Sequence, residues 1–400
     1  MSEPIAVIDV DTHLTEPADL WTSRLPKKYR QDAPHLVWDP ERARDRWQVG
    51  RHTLIGAQDQ AHAGWKEFFP STPATFEEAE PGGWDPKARL KVMDGQGIAA
   101  QILYPNLLGF FPFAFRELGA DLAGACVRAF NDFQVEWCST DPDRLIPLAF
   151  LPFWDLEGSV AELTRCADMG YRGFNWGHQL EKMGLPPLRD PHWDPVMNLA
   201  QERGMPVSFH IGFGSVDEAE VEGWRTYNDD LSLAPLSVLM FLGNANTIID
   251  LCMRGICERF PRLKFVSVES GFGYVPFLLE AMDWQYKNNR GSLSRKGLPL
   301  PSEYFRRQVF ATFWYEENVS RLLDLLPDNV MFESDYPHPT SLSPGPGSTA
   351  HDAKTTIARN LAGVPEEIRR KVLHDNAARL YRIDTASATD RKGGTCDDQQ

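Results

Sequence analysis

Val7-Ile8-Asp9-Val10-Asp11-Thr12-His13 is an apolar run that ends in a carboxylate and an imidazole two residues apart. Successive side chains of a β-strand alternate between its faces, so Asp11 and His13 leave the C-terminal end of such a strand on the same side. Two side chains able to bind a metal ion therefore converge at a strand end, the place where α/β barrels carry their chemistry. The first strand reads as residues 5–10, and seven further β-rich runs follow at 98–105, 145–152, 170–176, 206–211, 264–269, 309–314 and 330–334. Stretches of helical period lie between or after them, at 117–140, 158–169, 194–203, 236–260, 275–287, 317–326 and 351–361. Such alternation implies parallel pairing through right-handed crossovers, and eight units close into a (β/α)8 TIM barrel of the α/β class. An open doubly wound sheet is the alternative, but no glycine-rich phosphate loop follows the first strand.

With 400 residues, 42% of them hydrophobic, and no long polar linker, the chain is expected to form one large domain over residues 1–385. A formal charge of −15 excludes the basic surfaces that nucleic acids and anionic membranes reward. No signal-like segment precedes Asp9 and no run of about 18 apolar residues appears. Six cysteines without CxxC spacing suit reduced thiols and a cytoplasmic location.

Two segments depart from the barrel pattern. Residues 20–90 carry Trp21, Trp38, Trp47, Trp65, Phe68, Phe69, Phe76 and Trp84 among many prolines. So aromatic an insertion is expected to cap the barrel mouth, with simple packing against outer helices as an equal alternative. His35, His52 and His62 within it show no partner pattern and read as cap or surface residues. The polar tail at 386–400 is expected to be disordered.

Beyond Asp11 and His13, the fifth predicted strand ends in His210, the sixth in Glu269, and the eighth supplies Asp335 followed by His338. Each has an ordinary explanation: a strand-end histidine is more often a satisfied rim residue, Asp11 could cap a turn, and Glu269 could pair with an arginine. Their recurrence at the ends of the first, fifth, sixth and eighth strands is what makes all six candidate metal ligands. Glu16-Pro17 stays open between support of the site and a helix-entry signal.

The stretches VIDVDTHLTEP, VSFHIG, RFPRLKFVSVESGFGYVPFLLEAMD, FESDYPHP and KVLHDNAARLYRI resemble the amidohydrolase superfamily, and within it the amidohydrolase-2 branch that includes aminocarboxymuconate-semialdehyde decarboxylase. The resemblance implies that Asp11-x-His13 stands for an HxH pair, that His210 is the fifth-strand ligand, and that Asp335 is both metal ligand and general base. It also marks a departure, since Glu269-Ser270-Gly271 stands where such proteins carry a histidine.

If Asp11, Glu269 and Asp335 share one cavity, a single divalent ion leaves an anionic site, and the only arginines suggested near strand ends are Arg172 and Arg225. Charge balance therefore favours two ions, with one ion nearly as well supported; Zn, Fe and Mn all suit such ligands. The expected reaction is attack of metal-bound hydroxide on an ester, thioester, lactone or amide, with Asp335 as base and His338 as ligand or electrophile. Trp176 and Phe213 are the expected substrate-binding residues for a bulky apolar acyl group, an acyl-CoA thioester among the possibilities. The alternative reaction is metal-dependent, cofactor-free decarboxylation of an aromatic or unsaturated acid, and a non-catalytic binding protein is a third reading. A small-molecule substrate and a homodimer complete the expectations.

Overall fold

The structure, a computed structural model, describes residues 4–214 and 233–385. The expected tail at 386–400, Cys396 and Arg225 lie outside the described residues. Eight parallel strand positions form the barrel predicted from the sequence. β1 (Val7–His13) is followed by β2 (His35–Asp39), β3 (Arg44–Val49) and β4 (His52–Gly56), an antiparallel meander inside the insertion. The barrel then continues through β5 (Ile98–Tyr104), β6 (Leu145–Pro147) with β7 (Ala149–Phe150), β8 (Phe174–Asn175), β9 (Val207–His210), β10 (Phe265–Val268), β11 (Val309–Phe313) and β12 (Val330–Phe332). β6 and β7 are one strand position interrupted at Leu148, and they join the β1-β5-β6 ladder to the β7-to-β12 ladder.

The ring closes between β1 and the residues after β12. Asp335 N donates to Asp11 O at 2.9 Å and His13 N donates to Tyr336 O at 2.7 Å. Between them the strand is irregular: Asp9 pairs with Gln101 but Thr12 with Leu103, so β1 spends three steps where β5 spends two. β1 runs past the expected end at residue 10 to His13, with this bulge inside it. Asp9 completes the seam with its side chain, accepting from Ser334 N at 2.8 Å and Ser334 Oγ at 2.6 Å. Burial pushes the Asp9 carboxyl up to about 7.

Local chemistry explains the helices that formed and those that did not. Helix Pro86–Gln96, within the stretch read as insertion, has Asp85 accepting from Ala88 N, proline at its first position and Gly97 in the left-handed region at its end. The expected helix at 236–260 is three helices, Leu233–Phe241, Asn244–Met253 and Ile256–Arg259, broken where Gly255 takes φ +90°. The expected helix at 317–326 consists of two single 3-10 turns, Val319–Arg321 and Leu323–Leu325, a segment that stops against Pro327. The insertion is anchored by Trp21, which meets Trp47 edge-on at 5.2 Å and Phe115 at 5.3 Å. Among the described residues no helix is long and apolar enough to cross a membrane. The five described cysteines are free and buried.

Helix Ala120–Cys138 is tied to the barrel by Gln134, which donates to Leu103 O at 3.0 Å, and by Asn131. Asn131 Nδ2 donates to Phe150 O at 2.9 Å, and Asn131 Oδ1 accepts from Phe150 N at 3.0 Å, so an amide stands in for a neighbouring strand at the short β7. Replacing it orphans a buried N–H and a buried C=O. Asn131→Ala is expected to lower unfolding stability by about 2–4 kcal/mol, read as a drop in the urea midpoint; an unchanged midpoint contradicts this account.

Candidate active site

Four barrel strands deliver the six predicted residues to one buried cluster. His13 Nδ1 donates to Pro105 O at 3.1 Å and His210 Nδ1 donates to Ile211 O at 2.7 Å. A carbonyl can only accept, so each ring keeps a proton on Nδ1 and offers Nε2 as its possible metal ligand, and these two nitrogens face each other at 2.9 Å. Two lone pairs at that distance repel unless a cation lies against both. Both oxygens of Asp11 and Oδ1 of Asp335 are buried without a hydrogen bond. Asp11 Oδ1 lies 3.5 Å from His13 Nε2 and 3.6 Å from His210 Nε2, and Asp335 Oδ1 lies 3.8 Å from His13 Nε2. Ligand bonds of about 2.1 Å separate neighbouring donors by roughly 3.0–3.5 Å, so Asp11, His13 and His210 suit a divalent ion, and Asp335 joins two further possible ligand groups that share Asp11 or His13 with this one.

Glu269 and Asp335 both sit in the left-handed backbone region, at φ +53° and +59°, one residue beyond the end of β10 and three beyond the end of β12. A non-glycine residue there is strained, glutamate more than aspartate, and the turn points each carboxylate back over the barrel. Glu269 Oε2 lies 3.3 Å from His210 Nε2, and Thr340 Oγ1 donates to Glu269 Oε1 at 3.3 Å and also bonds Asp335. Burial first, then the charges of Asp335, Asp11 and Glu333, push the Glu269 carboxyl well up. Burial also raises Asp11, but His210 and His13 more than reverse this and hold it low. Burial, with His338 beside it, keeps His13 low and neutral.

The sixth residue is fixed from behind. His338 stacks on His13 with ring centres 3.7 Å apart, and its Nδ1 is 2.8 Å from Asp335 Oδ1. Its Nε2 pairs with Asn106 Oδ1 at 2.8 Å, and Asn106 N and Leu107 N donate to Glu16 Oε1 at 3.0 and 2.8 Å. Glu16 thus supports the site rather than only opening a helix. Burial pushes its carboxyl up to about 7 despite those two hydrogen bonds.

A cavity of about 750 Å³ opens above the cluster. Glu269, His338 and Thr340 line it from the cluster side, Phe110, Phe111 and Phe241 give it apolar surface, and Arg42, Arg44, Arg46, Asp59 and Phe69 come from the insertion. Trp176, expected to bind substrate, is instead packed in the core against Phe153 and Trp193. Phe213 is also off the cavity wall; it stacks over His210 at 4.3 Å and abuts Gly109, where any Cβ would strike its ring. Arg172 turns away and donates to Arg382 O.

A family model described as amidohydrolase matches residues 8–383. The chain belongs to the amidohydrolase family. A curated relative, gamma-resorcylate decarboxylase from Rhizobium sp. (strain MTP-10005), is 25% identical over 306 residues, covering 74% of this chain and 87% of that protein. Among solved structures, an amidohydrolase from Mycobacterium avium subsp. paratuberculosis K-10 aligns with TM-score 0.75 and 24% identity over 95% of this chain and 100% of the other. A dihydroxybenzoic acid decarboxylase from Polaromonas sp. JS666, with bound manganese and the inhibitor 2-nitroresorcinol, aligns with TM-score 0.60 and 17% identity over 96% and 99%.

These findings overturn the expectation of acyl-bond hydrolysis and of a thioesterase, because the curated relatives matched by this amidohydrolase are decarboxylases. The physical error lay in the charge count. It treated Glu269 as a third anion, whereas its setting favours the proton, and it missed the arginines that the insertion brings to the cavity. The sequence reading also missed Asp9, Asn106 and Glu333, the last a buried carboxylate whose Oε2 accepts from Glu269 N at 3.2 Å. The period-two pattern of Arg44, Arg46 and Gln48, with Gly50 turning into β4, was the available signal for the meander.

In this amidohydrolase the Glu16 proton is bound in the native state and absent from the unfolded chain between about pH 4.5 and 7, so its contribution to stability shrinks as pH rises through that window. Glu16→Gln keeps the acceptor oxygen and is expected to remove that part of the slope, worth roughly 3 kcal/mol at most, in unfolding curves taken across the window. Identical slopes for the two proteins contradict the assignment.

Proposed function

We propose that the protein is a divalent-metal-dependent decarboxylase of an aromatic or unsaturated carboxylic acid. The observation that carries the reading is the joint presence of the metal-fitting cluster and a largely apolar cavity into which Glu269, of that cluster, projects. The match to a decarboxylase of an aromatic acid supports it. Asp11, His13, His210 and Asp335 would hold one ion, since the three candidate ligand groups overlap in Asp11, His13 and Asp335 rather than forming separate centres. That ion supplies Lewis acidity that fixes the reacting carboxylate, and manganese in the Polaromonas structure makes it the first metal to try.

The chain's own groups then do the following. Phe110, Phe111 and Phe241 grip the flat body of the acid and exclude water. Glu269, the acid of the cluster that lines the cavity, gives its proton to the carbon that bears the carboxylate. The carbon–carbon bond breaks, its electron pair returns to the unsaturated system, carbon dioxide leaves, and solvent restores the proton on Glu269. Thr340 holds Glu269 and Asp335 in register, and His338 fixes Asp335. The insertion acts as the cap of this pocket within one domain. Buried free thiols support a cytoplasmic setting, and Phe277 and Trp284, exposed seven residues apart on helix Val275–Asn288, support a homodimer.

A panel of aromatic acids is expected to release carbon dioxide in the manganese-loaded protein, with one deuteron from heavy water on the product carbon. Asp335→Asn is expected to lose bound metal, and Glu269→Gln to keep the metal while losing about 10²–10⁴-fold in rate. Incorporation of water oxygen into an acyl product without carbon dioxide release refutes the proposal.

A further inference from the structure

The wall that the insertion lends to the cavity carries groups suited to a second anion. Arg44 and Arg46 lie two residues apart on β3 and so share a face, and Arg42 precedes them in the turn from β2. All three line the cavity, where the insertion contributes one carboxylate, Asp59.

Their hydrogen bonds separate structure from spare capacity. Arg46 is consumed by the meander: its Nε donates to Leu54 O at 2.8 Å, and its Nη1 meets Asp39 at 3.0 Å. Arg44 uses only one side of its guanidinium. Its Nη1 bonds Asp59 and donates to Thr72 Oγ1 at 3.0 Å, its Nη2 reaches Thr72 O only at the long distance of 3.5 Å, and its Nε has no hydrogen bond among the described residues. The Nε and Nη2 pair is the edge of arginine that grips a carboxylate in bidentate fashion. Asp59 and Thr72 hold the other edge, so the fork is ordered before anything binds. Arg42 reaches Asp39 at 3.5 Å and likewise keeps Nε and Nη2 without hydrogen bonds among the described residues.

The cavity, at about 750 Å³, lies in the range of pockets for drug-sized ligands and exceeds what one benzoate ring fills. A ligand larger than benzoate is needed to fill it, with flat apolar surface against Phe110, Phe111 and Phe241. We propose that Arg44, assisted by Arg42, is a second carboxylate-binding subsite, and that the substrate is a dicarboxylic acid, larger than benzoate, with an aromatic or unsaturated body. The reacting carboxylate would sit at the Asp11–His13–His210–Asp335 cluster and the retained one at Arg44, so the product is a monocarboxylate still anchored at the cap. The placement of the reacting end rests on the decarboxylase reading; the Arg44 subsite does not.

The test is titration calorimetry of the manganese-loaded protein with matched probes: naphthalene-2-carboxylate against naphthalene-2,6-dicarboxylate, and biphenyl-4-carboxylate against biphenyl-4,4′-dicarboxylate. In at least one pair the diacid is expected to bind about tenfold tighter or more, beyond the roughly twofold that its symmetry alone provides. Arg44→Met is expected to erase that advantage while leaving the monoacid affinity unchanged, and Arg44→Lys to retain part of it. Because Arg44 also ties Asp59 and Thr72, Arg42→Gln serves as a second variant that leaves those bonds in place and is expected to lose a smaller share. No diacid advantage in the native chain, or a full advantage in Arg44→Met, overturns the subsite. An Arg44-dependent advantage without carbon dioxide release from any acid keeps the subsite and refutes the decarboxylase; carbon dioxide release from monoacids with no diacid advantage does the reverse.

Discussion

The seam where β1 meets the end of β12 is the constraint on which the site depends. A barrel must close with every buried backbone group paired, but the bulge in β1 leaves Ser334 N facing a side chain instead of a strand. Asp9 fills the gap with both carboxylate oxygens, and Asp335 N and His13 N complete the closure through Asp11 O and Tyr336 O. The same few bonds that shut the barrel therefore set the positions of Asp11, His13 and Asp335. The register irregularity between Asp9 and Thr12 falls at this seam, where side-chain and backbone bonds together close the ring.

This coupling explains why so many buried polar groups are tolerated in one place. Asp9, Asp11, Glu269, Glu333 and Asp335 lie together with three imidazoles, and isolated burial of even one charge is costly. The cluster distributes the cost by giving its members different roles. Burial favours the proton on Asp9, Glu269 and Glu333, the Asp11 carboxyl is held low, and the two facing Nε2 atoms are left to share a cation. A site arranged this way has less negative charge than its carboxylates suggest, and it accepts an anionic ligand more readily.

The sequence was legible where chemistry repeats with the period of a structural element. The eight barrel strands and the six residues of the cluster all follow from apolar runs ending in His, Asp or Glu, because strand alternation and barrel closure leave few other places for them. What escaped was set by contacts between distant segments. Nothing near Glu16 or Asn106 tells that one will hold the other behind His338, ninety residues later in the chain for Asn106 than for Glu16. Trp176 and Phe213 were chosen as aromatics near strand ends, yet a strand-end aromatic is as free to pack outward, and Trp176 does so against Trp193. Protonation was equally hidden, since the charge of Glu269 depends on Asp335, Asp11 and Glu333, which come from other strands.

The insertion resolves the difficulty that an anionic cluster poses for an acidic substrate. Among the described residues, Arg172, suggested near a strand end, is directed to Arg382 and does not compensate the carboxylates. The β2–β4 meander brings Arg42, Arg44 and Arg46 across the same cavity, and Trp21 against Trp47 fixes that meander to the barrel side. The division of labour follows from the two kinds of scaffold. Barrel strands, locked by ladders on both sides, position the groups that must hold an ion to within a fraction of an ångström. The meander, with two edges unpaired and anchored through a few aromatic contacts, can vary in sequence without disturbing those ligands. For the decarboxylase proposed above, reaction chemistry would be confined to the strand ends and the choice among acids left to the insertion.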